Sequence, residues 1–465
     1  MEIFMKHNIY LYFLSSLFFL STRICYADFE LGNTYYAAGN FEKAYKEYLE
    51  SAQYGDNDAQ QNIGAMYYRG EYVPKNKITA YAWMTLAAQN QGYKDKGLNT
   101  KIYNKFSDEE KKAADEEYKV LFAKLNNEVI QSNLTPDFVG QTGNTKTQRI
   151  IKTVRPEYPR AAIRNGSYGG MTDVTFTVDK YGITRDQITY YSSDPRFSVA
   201  ALNAVRKFQF EPLLVNGKPV AINGVKMRFN FRVNDLEYSD KKIAKYIDEA
   251  RAKASSGSSQ DKLTFAYLLE TVPSFTKDYK LVDNPNEWYV NAANEGNYSA
   301  SYFLGRNILY GNMCTSDSAK SMGWLLKAAR GGISDAQYLL AIETFSGARF
   351  EKNDEKGFYW LSKAAEANKF AKVKYAWILS THPDEKYRNG KLAQELLQSV
   401  DDSHTDKLSL YQSRAASAAE TGNFDDAIKW QKKAVEDAKE LEIPLTQVGQ
   451  QLNSYVNNSP WRETI

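Results

Sequence analysis

The sequence predicts a mainly helical protein of helical-repeat solenoids, interrupted by a small central α+β domain with an antiparallel sheet. Three observations carry that prediction. Trp288, Trp324 and Trp360 recur at a spacing of 36 residues, each followed by an alanine pair and then by Gly296, Gly332 or Asn368. A helical hairpin repeated at such a period is the signature of a solenoid. The stretch from Arg155 to Val233 is the one part that reads as a sheet, through two-residue alternation. The length, 465 residues, exceeds one ordinary domain, for which roughly two to four are expected.

In chain order, residues 1–27 read as a secretory signal. Lys6 is the basic flank, residues 9–19 a short apolar core, and Cys25-Tyr26-Ala27 a small-x-small cleavage site. The core is short for a bilayer span and Arg23 interrupts any extension, which weighs against the competing reading, an uncleaved anchor. Removal of the signal leaves Cys314 as the one thiol, which forms no bridge within the chain. It reads as a small apolar residue near a loop. A net charge of +3 provides no large basic excess to neutralise phosphates, which argues against nucleic-acid binding.

Residues 28–130 read as a first repeat array. Ala59-x3-Ile63-Gly64-x2-Tyr67-x2-Gly70 leads into Ala80-x2-Trp83-x3-Ala87-Ala88, the grammar of the later Trp repeats. Ser107-Asp108-Glu109-Glu110 is a capping box that opens a polar helix to about Asn126. Residues 131–149, rich in Asn, Thr and Gly, read as a linker. Within the sheet domain, 150–235, Val174, Phe176 and Val178 alternate with polar neighbours, and Asp179-Lys180-Tyr181-Gly182 is a turn with Gly182 at positive φ. Residues 183–191 are the return strand. Asp194 caps a helix that starts with Pro195 and presents Phe197, Ala200, Ala201, Ala204, Val205 and Phe208 as one stripe. Asn216-Gly217 signals a hairpin. Val225, Met227, Phe229, Phe231 and Val233 alternate with Lys226, Arg228, Asn230 and Arg232, the cleanest strand of all. A second array, 239–456, begins with a helix over 239–254 and a flexible break at residues 255–259. There paired alanines let helices approach, Trp fills the space between repeats, and Gly or Asn takes the left-handed position that ends each helix.

These residues resemble known families. Pro156-x-Tyr158-Pro159, Gly170-x3-Val174-x-Phe176-x-Val178, Gly182, Phe197-x2-Ala200-Ala201-x2-Ala204-Val205, Phe210-x-Pro212 and Asn216-Gly217-Lys218-Pro219-Val220 resemble the TonB C-terminal domain. Phe208 stands where that family usually has Trp. The repeats resemble Sel1-like units. Ala38-Gly39-Asn40-Phe41 and Thr421-Gly422-Asn423-Phe424 resemble tetratricopeptide turns. The resemblance implies protein or peptide partners. In the TonB family a short extended segment of an outer-membrane transporter pairs with this domain. The expected partner-binding residues are accordingly Tyr158, Pro159, Lys226, Arg228, Asn230 and Arg232, with strand addition at an edge made by the last strand. The opposing reading has the basic residues merely blunting an edge against aggregation, and the Tyr158-Pro159 pair acting as a rigid lead-in to the sheet.

No residue set for chemistry assembles. His382 and His404 lie in polar, loop-like sequence, Ser274-x-x-Lys277 is an isolated match, and Asp401-Asp402 and Asp425-Asp426 read as solvated faces or helix starts. No catalytic residue, metal, cofactor or small-molecule substrate is expected. The reading is a non-enzymatic periplasmic adaptor that binds a partner peptide by strand addition to the central domain and other proteins through its repeats, the partners being an outer-membrane transporter or another envelope protein. The alternative is an energy transducer coupling the inner membrane to outer-membrane transport, anchored by an uncleaved N-terminus. An extended Pro-rich spacer, which such transducers carry, is not present among the 12 scattered Pro residues. A third class, an envelope enzyme with accessory repeats, has no residues to support it.

Overall fold

The computed structural model describes residues 29–90, 97–139, 149–164, 169–192, 194–215, 218–220, 222–232, 240–271, 283–401, 406–442 and 444–463. The expected signal over 1–27, the Asn216-Gly217 turn, Ser274, Lys277, Asp402 and His404 lie outside them. The chain divides into two compact units. One holds the described residues to Thr135 with Ser318–Gly323 and Gly347–Asn353, and the other holds the rest.

The first unit is a stack of helices: α1 (Phe29–Ala37), α2 (Phe41–Gln53), α3 (Asn57–Arg69), α4 (Lys77–Gln89), α5 (Leu98–Tyr103), α6 (Asp108–Leu125) and α7 (Asn127–Leu134). Their ends are set by local chemistry. Asn40, Asp56, Asn76 and Asn126 each cap the following helix through a side-chain oxygen. Ser107 and Glu110 form the reciprocal capping box that the sequence predicts. Tyr48, Ile63, Met66, Trp83, Leu86 and Leu125 fill the core.

In the second unit the repeat array comprises α10 (Asp240–Ser256), α11 (Ser259–Thr271), α12 (Pro285–Asn294), α13 (Tyr298–Tyr310), α14 (Ser318–Arg330), α15 (Ser334–Ser346), α16 (Asp354–Ala367), α17 (Lys369–Thr381), α18 (Gly390–Gln398), α19 (Lys407–Glu420), α20 (Phe424–Glu440) and α21 (Thr446–Val456). The start of α14 is shared with the first unit. Trp324 and Trp360 are buried, and Trp288 sits edge-on to Phe265 with centroids 4.8 Å apart. The alanine pairs after each Trp are fully or almost fully buried. Gly296 and Gly332 take positive φ, whereas Asn368 has φ −110° and caps α17 by accepting from the Phe370 and Ala371 amides. Its side chain starts the next helix instead of ending the last.

Three further expectations are corrected. The serine-rich stretch at 255–259 is a tight corner: α10 runs to Ser256, α11 begins at Ser259, and Ser258 and Asp261 bond one another across it. The segment expected as linker is helical to Leu134 and is then tied to the array. Phe138 bridges Cys314, the Thr315 amide donates to the Asp137 carbonyl at 2.9 Å, and the Val139 amide donates to the Met313 carbonyl at 3.2 Å. His382, in the loop directly after α17, is buried between Phe358 and Tyr387. Its Nδ1 accepts from the Asp384 amide at 3.0 Å, and its Nε2 lies 3.5 Å from Asp354.

The sheet module contains β1 (Ile150–Lys152), α8 (Arg160–Arg164), β2 (Gly169–Val178), β3 (Thr184–Ser192), α9 (Pro195–Val205), β4 (Gln209–Phe210), β5 (Leu213–Val215), β6 (Lys218–Val220) and β7 (Ile222–Arg232). The main sheet has the order β3-β2-β7, all antiparallel, with β1-β4 and β5-β6 as separate two-stranded ribbons. Asp194 caps α9 and Pro195 opens it, as the sequence predicts. The stripe on α9 packs against Val174, Phe176, Val178, Phe229 and Phe231, a core that also takes Phe208 and Phe210.

The β2–β3 turn is clamped at Gly182. Its φ is +83°, its carbonyl accepts from the Phe210 amide at 2.8 Å, and a Cβ there would lie 2.0 Å from the Phe210 oxygen. Gly182→Ala must therefore strain the turn and break the Phe210 contact. Chemical denaturation should show a loss of at least about 2 kcal/mol relative to wild type.

Candidate functional site

β7 lies at one edge of the main sheet, hydrogen-bonded to β2 in the register Arg232–Gly169, Phe229–Thr172, Met227–Val174 and Ile222–Val178. Strand alternation sends Val225, Met227, Phe229 and Phe231 towards the core and puts Arg228 and Asn230 on the opposite face. The charge alternation read from the sequence is thus the two faces of an edge strand.

The opposite sheet edge is occupied by helices. Ile183, just before β3, is buried with Leu408, Ala434, Ala438 and Val448 of α19, α20 and α21. Arg185 on β3 donates to Asp179 at 3.1 Å, to Gln412 at 3.2 Å and to Gln447 at 2.9 Å. Gln412 continues into a buried amide cluster, donating to Gln451 at 2.7 Å, which also accepts from Gln431 at 2.9 Å. Around it, Lys180 pairs with Glu463 at 3.3 Å, Lys152 pairs with Glu442, and Gln209 donates to the Glu442 carbonyl at 2.9 Å.

The start of the array holds the module from the other side. Arg228 forks onto both carboxylate oxygens of Asp173 on β2 and donates to the Glu270 carbonyl at the end of α11. Tyr267 of α11 donates to Asp173 at 2.7 Å. The Glu270 carboxylate accepts from Arg306 at 3.1 Å and from Asn307, and Asn307 donates to Asn286 at 2.9 Å. Asp173 and Arg228 side chains are 2% and 18% exposed, so this pair is a structural fastening. The guanidinium of Arg228 is directed at Asp173 and α11, while Asn230 is exposed.

Tyr158 lies on the core side. The Tyr158 ring packs edge-on to Phe197 at 5.3 Å and to Phe231 at 6.0 Å, and the last two rings stack at 4.4 Å. Burial raises its phenol pKa, with Asp194 adding to the effect. The Pro159 carbonyl accepts from Ala162 at 2.8 Å and opens α8. The structure therefore separates Tyr158 from the face of β7 that carries Arg228 and Asn230. Lys226 and Arg232 are placed by register, opposite Thr175 and Gly169. Sequence reasoning passed over Asp173, Tyr267 and Glu270. A lone acid in a strand that must pair with a basic one was the signal for Asp173.

Among the described residues, no group of three or more His, Cys, Asp or Glu is placed to hold a metal ion. No helix among them is long and apolar enough to cross a membrane.

Residues 154–233 match the Gram-negative bacterial TonB protein C-terminal family, and residues 57–91, 299–333 and 334–369 match the Sel1 repeat. The sheet module is a TonB C-terminal domain flanked by Sel1 repeats, and these families are generally non-catalytic. Two solved structures are similar. One is a protective antigen of uropathogenic Escherichia coli displaying an SLR fold, 19% identical, TM-score 0.37, covering 94% of this chain and 73% of that one. The other is a Sel1 repeat protein from Oxalobacter formigenes, 15% identical, TM-score 0.32, covering 92% and 85%. No curated protein matches the chain.

Asp173→Ala leaves the Arg228 guanidinium enclosed without its counter-ion. Urea unfolding should show a loss of about 3 kcal/mol. Pairing it with Arg228→Met should recover most of that loss, because the orphaned charge is gone.

Proposed function

We propose that this chain, a TonB C-terminal domain set among Sel1 repeats, is a non-enzymatic adaptor of the cell envelope that captures an extended partner segment by strand addition to β7. The observation that carries the reading is the strand order β3-β2-β7: the β3 side is committed to α19, α20 and α21, and β7 is the opposite edge. An edge strand offers backbone amides and carbonyls in a row, and such a row binds an extended peptide with little regard to its side chains. Selectivity then comes from the two faces. An added strand would set alternate residues beside the half-buried rim of Val225 and Met227, and the others beside Asn230.

The proposal assigns Tyr158 and Pro159 to holding the edge in place and Arg228 to fastening β7 from behind. The binding surface is then the β7 backbone itself, with Asn230 and, by register, Lys226 and Arg232 at its border. The repeats offer protein-binding surface of their own, and the periplasm is the expected location.

Proline scanning separates recognition from folding. In an edge strand with one neighbour, successive residues alternate between bonding that neighbour and facing outward. Lys226→Pro and Met227→Pro therefore differ in kind: one removes a bond to β2, and the other removes only an outward amide. The variant that keeps wild-type thermal stability should lose its partner in affinity capture from envelope extracts. Unchanged capture by the variant that keeps wild-type stability excludes β7 as the recognition edge.

A further inference from the structure

The loop between α13 and α14 is paired with a strand that the chain itself supplies. Shortly after α7, Asp137–Val139 runs antiparallel to Met313–Thr315, with Phe138 opposite Cys314. The Thr315 amide donates to the Asp137 carbonyl at 2.9 Å, and the Val139 amide donates to the Met313 carbonyl at 3.2 Å. The Asn284 side-chain amide donates to the Met313 carbonyl at 2.9 Å and to the Val139 carbonyl at 3.4 Å, so it clips both strands. Asp137, Phe138 and Val139 are all exposed. This strap is held through its main chain, and its apolar side chains add little burial.

The loop keeps its shape without the strap's bonds. Its counterpart between α3 and α4 has the same backbone: Gly70 and Gly311 end their helices at φ 78° and 70°, and Tyr72 and Met313, two residues on, take φ 62° and 54°. The Glu71 and Asn312 amides turn back onto the Met66 and Asn307 carbonyls at 3.1 and 2.8 Å. Yet Pro74 stands where the second loop has Thr315, and a proline has no amide to give to a passing strand. The conformation therefore does not require the Thr315 bond. In the second loop the buried Asn286 also holds the Asn312 carbonyl at 2.7 Å, and Cys314 is buried. Non-glycine residues keep a left-handed backbone where their surroundings impose it, so the Met313 carbonyl and the Thr315 amide are presented in advance.

We propose that Met313–Thr315 is a second strand-addition site, for an extended peptide segment of another protein, and that Asp137–Val139 is its built-in competitor. A partner segment with a free carbonyl and, two residues on, a free amide makes the same two bonds as the strap. Pairing of this kind selects an extended backbone, with proline excluded at the residue that donates. The strap sets the threshold: a site that it leaves open about a tenth of the time weakens the partner's apparent affinity about tenfold. The loop is distinct from β7, and the site does not depend on which partner β7 takes.

Residue-resolved amide exchange on the full chain reads the site directly. Val139→Pro removes the strap's donor while suiting its extended backbone. Thr315 should then lose protection about tenfold, whereas Asn312 and Asp317, bonded to the Asn307 and Ile308 carbonyls, should keep wild-type values. Thr315→Pro, which copies Pro74, should loosen Val139 by about as much from the other side. A peptide with the sequence of Leu134–Gly140, at millimolar concentration, should restore Thr315 protection in the Val139→Pro chain. In wild type the same peptide should displace the strap, seen as faster exchange at Val139, only at about tenfold higher concentration. The peptide carrying Val139→Pro should do neither. Loss of protection at Asn312 and Asp317 together with Thr315 would make the strap part of the loop's own structure. Failure of the peptide to restore Thr315 would make it a fixed tether. Either result overturns the proposal.

Discussion

One guanidinium joins the sheet to the helices that follow it by more than two hundred residues. Arg185 is 11% exposed and meets Asp179 of its own turn, Gln412 of α19 and Gln447 of α21. A charge so enclosed needs hydrogen bonds on each side, and the two glutamines supply those that the turn cannot. Beside it Ile183, 2% exposed, fills a pocket between three helices, which is worth about 2 kcal/mol of apolar burial. The polar fork fixes the orientation and the isoleucine supplies the favourable free energy.

The consequence is an asymmetric sheet. Its β3 side and its β2–β3 turn are spent on the end of the array, through Ile183, Arg185 and Lys180. Its β7 side is held from the rear where Arg228 reaches Asp173 and the Glu270 carbonyl. A helix that grips side chains on one face of a strand leaves the strand's backbone edge a separate surface. The second array is then first a cradle for the sheet module, since its second helix α11 and its closing helices α19–α21 both contact that module.

Much of the fold was legible in the sequence because its causes are local. The Trp and Ala spacing, the Ser107–Glu110 box, the Asp194-Pro195 start and the alternation in β7 each depend on neighbours within a turn or a strand. What stayed illegible depends on distant partners. His382 sits among polar neighbours in sequence, yet the Phe358 ring comes from α16, one helix further back, and encloses it. Asn368 suits either end of a helix, and its partners decide which. Arg228 reads as a free basic residue until Asp173 and Glu270, 55 and 42 residues away, are brought to it. Of the site, the strand and its alternation could be read in advance, and the division of its side chains between fastening and surface could not.

The central claim is that sheet module and closing helices are one cooperative body, joined through Ile183 and Arg185. Native-state hydrogen exchange of the full chain across a denaturant series tests it most directly. The account predicts that β2 amides, from Thr172 to Val178, and α19 amides, from Leu408 to Ala419, open with one common free energy and one denaturant slope. Sheet amides that open at a clearly lower free energy while α19 stays protected would contradict it.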